Sequence, residues 1–169
     1  MSSSVEQYYT ANIESEDKRL DAGRLEYAIR LRVIRGLIRA RQARNDIPLK
    51  IADIGCGPGG YGHKLYISEL TQACLELAVQ KFDMANLKPK AVIHRDAESI
   101  FQRPEFSENV FDIVLLLDPL YHILDSSARL LVVQNILQVL AHGSFLVVAF
   151  ARRNAHPRDV ACCEPDRPM

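Results

Sequence analysis

The sequence predicts an α/β protein built on a doubly wound, mostly parallel sheet. Three observations carry that expectation. Short apolar runs alternate with stretches of helical periodicity between residues 50 and 150, the pattern of successive βαβ units. Two of the runs, FDIVLLL at 111–117 and FLVVAF at 145–150, are unbroken, as strands buried on both faces are. The first run, KIADI at 50–54, feeds straight into the glycine turn GCGPGG. In open α/β sheets such a turn lets a ligand approach the main chain closely.

The elements follow in order. Residues 1–21 are polar and rich in Ser and Glu, and read as an arm with a short helix at most. Across residues 25–44, Tyr27, Leu31, Ile34, Leu37 and Ile38 recur at helical spacing. Arg30, Arg32, Arg35, Arg39 and Arg41 fall mostly elsewhere. The expectation is a helix docked by its apolar face, with its arginines in solvent. Residues 45–48, NDIP, end it. After the strand at 50–54, a second strand is expected at 63–70 (HKLYISEL), then a helix at 71–82 capped by Thr71. A third strand follows at 90–94 (KAVIH), a loop at 102–109, and the fourth strand at 111–117. A helix at 126–141 is expected to end at His142-Gly143 as its C-cap. The last strand is 145–150. The domains are read as an arm with cap helices at 1–45, a core at 46–161 and a loose tail at 162–169.

The totals narrow the function. The chain has 169 residues, enough for one domain with its own core. Lys+Arg and Asp+Glu are both 21. That balance argues against a general electrostatic grip on nucleic acid or an anionic membrane. Cys56, Cys74, Cys162 and Cys163 show no zinc-type spacing, so no metal site is expected. There is no apolar leader and no run long enough to cross a bilayer, so a soluble, cytoplasmic protein is expected.

The glycine turn fits two templates. Gly55, Gly57 and Gly60 satisfy G-x-G-x-x-G, the dinucleotide fingerprint. Asp53, Gly55, Gly57 and Gly59 satisfy D-x-G-x-G-x-G, and this second template is the more specific. It resembles the first motif of the class I S-adenosylmethionine-dependent methyltransferases, small-molecule type. Four further segments share the resemblance: YISELTQACLELA at 66–78, HRDAESI at 94–100, FDIVLLLDPLYHIL at 111–124 and GSFLVVAF at 143–150. YYTANIESEDKRLDAGRLEYA at 8–28 looks like the N-terminal cap of the same subgroup.

The resemblance implies a Rossmann-like fold, S-adenosyl-L-methionine as cofactor and a small-molecule acceptor, of the kind tailored in secondary metabolism. It places Asp53, Gly55, Gly57, Gly59, Glu69, Leu70, Asp96 and Ala97 at the cofactor. Glu69 would hold the ribose hydroxyls, since a carboxylate accepts two hydrogen bonds from neighbouring hydroxyls. Asp96 would accept from the adenine amino group. His122 would be the base or a substrate contact, with Tyr121 and Asp118 beside it. Asp118 departs from the glycine usual there in the subgroup. Tyr8, Tyr9 and Arg19 would belong to a lid. Plainer readings stand next to these: Glu69 as a helix cap, Asp53 and Asp96 as turn residues, His122 as a satisfied strand-end histidine, Tyr121 as packing.

Two departures follow from the same comparison. Parallel neighbours need a crossover of about ten to twelve residues, helix included, and Gly55–Gly62 is too short and too glycine-rich for one. Glu69 stands fourteen residues after Gly55, against about 20 for the usual spacing. The expectation is an abbreviated fold lacking the first crossover helix, with a second strand that rearranges or leaves apolar surface bare. Fewer than 20 residues follow Phe150. The last strands are therefore expected to be missing, and an uncovered edge favours a homo-oligomer. The rival readings are an inactive relative acting as a binding partner and a nicotinamide-dependent reductase. Asp53 and the absence of a Tyr-x-x-x-Lys pair weigh against the second.

Overall fold

The apolar runs pair as one five-stranded, all-parallel sheet. The structure, a computed structural model, describes residues 3–14, 18, 24–44, 48–58 and 65–150. Strand β1 is Ile51–Ile54, β2 Leu65–Glu69, β3 Ala91–His94, β4 Phe111–Leu116 and β5 Leu140–Val148. Their spatial order is β3-β2-β1-β4-β5. The chain therefore winds outward from β1 to β3, then returns to the other side of β1. The helices are α1 (Ser3–Ala11), α2 (Arg24–Gln42), α3 (Gln72–Met84), the single turn α4 (Pro104–Ser107) and α5 (Ser126–Gln138).

Period-two alternation sends neighbouring strand residues to opposite layers. Ile51, Leu65, Ile67, Ile113 and Leu115 pack with Ile34 of α2 and with Leu75 and Phe82 of α3. Ala52, Ile54, Val114 and Leu116 pack with Phe106 of α4 and with Val132 and Ile136 of α5. All six residues of β4 are buried, as its unbroken apolar run requires.

The second strand has not rearranged. Ile51 pairs with Leu65 and Ile54 with Ser68, in parallel. Leu65 and Ile67 are 1% and 0% exposed, so the expected bare surface does not arise at these residues. β1 is only four residues long, and a return path of about 13 Å lies within reach of a short connection. Of that connection, residues 55–58 are turn and residues 59–64 lie outside the described ones. Among the described residues, no helix lies between β1 and β2. The face is held by α2 and α3 instead.

Helix α2 uses two of its arginines differently from the expectation. Arg30 lies four residues before the buried Ile34, and Arg41 lies seven after it, so both fall on the docked face. Arg41 Nε donates to Asp112 Oδ1 at 2.8 Å, with both side chains about nine-tenths buried. Arg30 Nη2 reaches Asp118 Oδ1 at 3.4 Å and also pairs with Glu26. Asp112 begins β4 and Asp118 follows its end, so α2 runs antiparallel to β4 and is tied at both ends. Arg32, Arg35 and Arg39 are exposed, as expected.

Three local expectations are corrected. The stretch expected as loop from 102 contains α4, whose first residue is Pro104; proline has the right φ for a first helical position and no amide to orphan there. Thr71 occupies the N-cap of α3, but its hydroxyl makes no cap bond. Glu69 Oε1 takes the Leu70 and Thr71 amides instead, at 2.9 and 3.2 Å. His142-Gly143 is not a C-cap. Helix α5 ends at Gln138 and β5 begins at Leu140. Phe111 pairs with Leu140 and Ile113 with Phe145, so residues 141–144 bulge out of register. Gly143 supplies the positive φ of 71° that this bulge needs, and Arg41 Nη1 donates to the His142 and Gly143 carbonyls at 3.2 and 3.4 Å.

At the other end of α5, Asp125 Oδ1 accepts from the Ala128 amide at 2.7 Å. Asp125→Ala removes this N-cap, and the expected cost is about 1 kcal/mol, read as a lowered urea midpoint with unchanged slope.

Candidate functional site

A hollow opens at the carboxyl ends of β1, β2 and β4, where the winding changes direction. This is where open α/β sheets bind ligands. Its enclosed part is small, about 70 Å³, and it opens to solvent. Asp53, Gly55 and Gly57 line it from β1 and its turn, and Glu69 and Leu70 from the end of β2. Asp96 and Ala97 follow β3, while Asp118 and His122 follow β4. All these sequence-predicted residues are thus brought together. Gly59 lies outside the described residues. Tyr121 is not part of the lining; its hydroxyl donates to Asp118 Oδ1 at 2.9 Å and its ring lies 4.4 Å from that of His122.

The glycine turn spends its donors internally. The Gly55 and Cys56 amides both donate to the Ser68 carbonyl, at 2.9 and 3.0 Å. The Gly57 amide donates to Glu69 Oε2 at 2.8 Å. These three amides hold the turn to β2 and are not the anion cradle that a glycine turn can form. Gly55 is required by close approach: its φ is +72°, and a Cβ there would lie 2.3 Å from Pro119 Cγ. Gly57, at φ +55°, is different, because a Cβ there meets no described atom within 4 Å.

What the hollow offers is carboxylate. Asp53 is 2% exposed, and no hydrogen bond reaches its carboxyl group among the described residues. Burial, with Asp118 and Glu69 nearby, pushes its pKa from 3.8 up to about 7, against the opposing pull of Arg30. Burial also raises Glu69, opposed by its bonds from Gly57, Thr71 and Leu70. Oε1 of Glu69 takes two amides and Oε2 one, which leaves Oε2 a further acceptor direction. Glu69 thus holds the entry to α3 through the Leu70 and Thr71 amides and also lines the hollow. Asp96 Oδ1 accepts from the amide and hydroxyl of Ser99, at 2.7 and 2.8 Å, so it is a turn residue as well as a lining one. Burial likewise holds the Cys56 thiol well above the usual range, which keeps it protonated and unreactive.

Sequence reasoning missed Arg30 and underrated Tyr9. Arg30 enters the hollow from α2, and its signal was its position four residues before Ile34. Tyr9 and Val5, one turn apart on α1, also line the hollow. The Tyr9 hydroxyl lies 2.8 Å from His122 Nε2. Tyr8, grouped with it as a lid residue, is 58% exposed; Arg19 lies outside the described residues.

Comparison with solved structures places the fold. The N-methyltransferase NodS from Bradyrhizobium japonicum, in complex with S-adenosyl-l-homocysteine, superposes with a TM-score of 0.69 at 18% identity, over 90% of this chain and 76% of that one. Magnesium protoporphyrin IX methyltransferase (ChlM) from Synechocystis with bound SAM gives 0.64 at 17% identity, over 89% and 76%. An S-adenosylmethionine-dependent methyltransferase from Clostridium acetobutylicum gives 0.54 at 20% identity, over 67% of this chain and only 47% of its own length. No family model and no curated protein sequence matches the chain. The chain has the fold of the class I S-adenosylmethionine-dependent methyltransferases.

Proposed function

We propose that this protein binds S-adenosylmethionine in the hollow and transfers its methyl group to a small-molecule acceptor. The observation that carries the reading is Asp53: a buried carboxyl group with no hydrogen bond among the described residues, in a hollow lined by further carboxylates. Such a group favours a cationic ligand. Gly57, where an added Cβ meets no described atom within 4 Å, accords with close approach of the same ligand. S-adenosylmethionine supplies, when bound, a methyl carbon made electrophilic by its sulfonium.

The chain's own residues do the rest. Asp53 compensates positive charge at the centre of the hollow. Glu69, through Oε2, holds a ribose hydroxyl, and Asp96, with Ala97 and Leu70 alongside, borders the base. Arg30 fixes Asp118 and supplies a positive counterweight at the acceptor end. Holding the two reactants in line accounts for most of the acceleration such a reaction needs, and His122 is the base on which the positive charge of the lost proton ends. The acceptor belongs with secondary metabolites and the reaction with the cytoplasm; balanced charge and the lack of any described helix able to cross a membrane accord with this. The free edge that β5 shows among the described residues supports self-association.

Calorimetry tests the reading. S-adenosylmethionine is expected to bind at micromolar affinity and NADH not at all. Glu69→Ala should weaken binding at least tenfold, since it removes a ribose contact and frees the Gly57 amide that shapes the turn. Wild-type affinity in that variant would remove Glu69 from the site. The engagement of Glu69 by three amides favours one alternative, an inactive relative that binds without turning over. Affinity for S-adenosylmethionine with no methylated product from any acceptor would establish it.

A further inference from the structure

Helix α1 lies outside the sheet, yet it delivers Val5 and Tyr9 to the hollow. The Tyr9 hydroxyl is 2.8 Å from His122 Nε2, across 113 positions of sequence. The two rings meet edge to face with centroids 5.5 Å apart. His122 is itself held by the turn after β4, its amide donating to the Pro119 carbonyl at 3.1 Å. Tyr9 and His122 both line the hollow, and His122 Nε2 is engaged there by the Tyr9 hydroxyl.

We infer that Tyr9 and His122 form a proton-accepting dyad in which Tyr9 is the member that touches the acceptor. The inference rests on the methyl-transfer reading above. His122 is neutral, protonated on Nδ1 and bare on Nε2, with the Tyr9 hydroxyl donating to Nε2. As the acceptor's O–H or N–H heteroatom bonds to the methyl carbon, the carbon–sulfur bond breaks and its electron pair stays on sulfur. The acceptor's proton passes to the Tyr9 oxygen while the Tyr9 proton passes to Nε2, leaving His122 as imidazolium. Among the described residues, the charged and acidic groups that line the hollow with this pair are Arg30, Asp53, Glu69, Arg95, Asp96 and Asp118, and the Tyr121 ring lies 4.4 Å from that of His122. The acceptor class that needs such a device carries a weakly acidic O–H or N–H; a carbon nucleophile does not.

Two measurements test the dyad separately from the reading beneath it. Calorimetry with S-adenosylmethionine tests the reading: no binding by the wild type sinks both. The dyad is tested by ¹⁵N NMR of the imidazole in the full chain. Neutral His122 is expected as a single Nδ1–H tautomer in the wild type and in Tyr8→Phe, and as a mixture in Tyr9→Phe, with S-adenosylmethionine affinity within twofold in all three. Against a panel of phenols and primary amines, Tyr9→Phe is expected to lose about a hundredfold in kcat on any acceptor the wild type methylates, with KM for S-adenosylmethionine unchanged. An Nε2–H tautomer in the wild type, or the same tautomer with and without the Tyr9 hydroxyl, overturns the dyad.

Discussion

Gly55→Ala is expected to destabilise the protein by about 2–5 kcal/mol, lowering Tm by roughly 4–20 °C at this chain length. Two costs add. A residue with a Cβ at the observed φ of +72° is strained by about 1–2 kcal/mol. The new Cβ would lie 2.3 Å from Pro119 Cγ, and a proline ring cannot rotate away. Overpacking of that kind costs about 1–3 kcal/mol. Gly57→Ala separates stability from binding. It has a similar φ of +55° but meets no described atom within 4 Å, so it pays only the strain. Its Cβ enters the hollow, however, so affinity for S-adenosylmethionine should fall at least tenfold. Thermal melts and calorimetry on the two variants check both halves. Equal loss of stability would mean that Pro119 gives way or that Gly57 is crowded.

The fold was legible because its strongest signals are local. The unbroken run 111–117 could only be a strand buried on both faces, and β4 is one. The glycine turn announced the end of β1. Tertiary effects were not legible in the same way. Gly143 looks like a C-cap in sequence, but whether a positive φ closes a helix or opens a bulge depends on the partner strand. Here the partner is β4, with Arg41 drawn to the carbonyls at 142 and 143. The expected rearrangement or baring of β2 did not arise because strands of four and five residues shorten the return path that a crossover helix normally spans. At the site, the family resemblance pointed to the carboxylates, but it could not show that the amides of Gly55, Cys56 and Gly57 are consumed by β2. Nor could it separate Arg30 and Arg41 from their exposed neighbours without placing each residue on the helix face. Tyr9 was reached only as a lid residue through the resemblance; its pairing with His122, 113 positions away, was not legible.

Asp53→Asn is expected to abolish two opposite pH dependences at once, one of stability and one of binding. In the free wild type the carboxyl pKa is raised from 3.8 to about 7, so between those values the folded state holds a proton that the unfolded state has lost. Stability therefore falls as pH rises from about 4 to about 7, by up to about 1.4 kcal/mol per unit, and is flat on either side for this group. Asparagine has nearly the same shape and no charge, so the variant should lack this slope and be more stable than the wild type at pH 8, but not at pH 4. Ligand binding should show the opposite trend. A cationic ligand pairs with the ionised carboxylate, so wild-type affinity for S-adenosylmethionine should rise by up to tenfold per unit as pH increases toward 7. The variant should bind weakly and lack this increment, which cancels the ligand's own titrations from the comparison. Chemical denaturation and calorimetry at pH 5, 6.5 and 8 measure both effects. A variant stabilised at pH 8 but unaltered in affinity would leave Asp53 a strained structural acid. A variant that loses affinity without gaining stability would mean that the carboxylate already has a compensating partner in the free protein. Only the paired outcome, stability gained and affinity lost by the same removal of charge, fits a carboxylate kept unpaired in the free fold and compensated by its ligand.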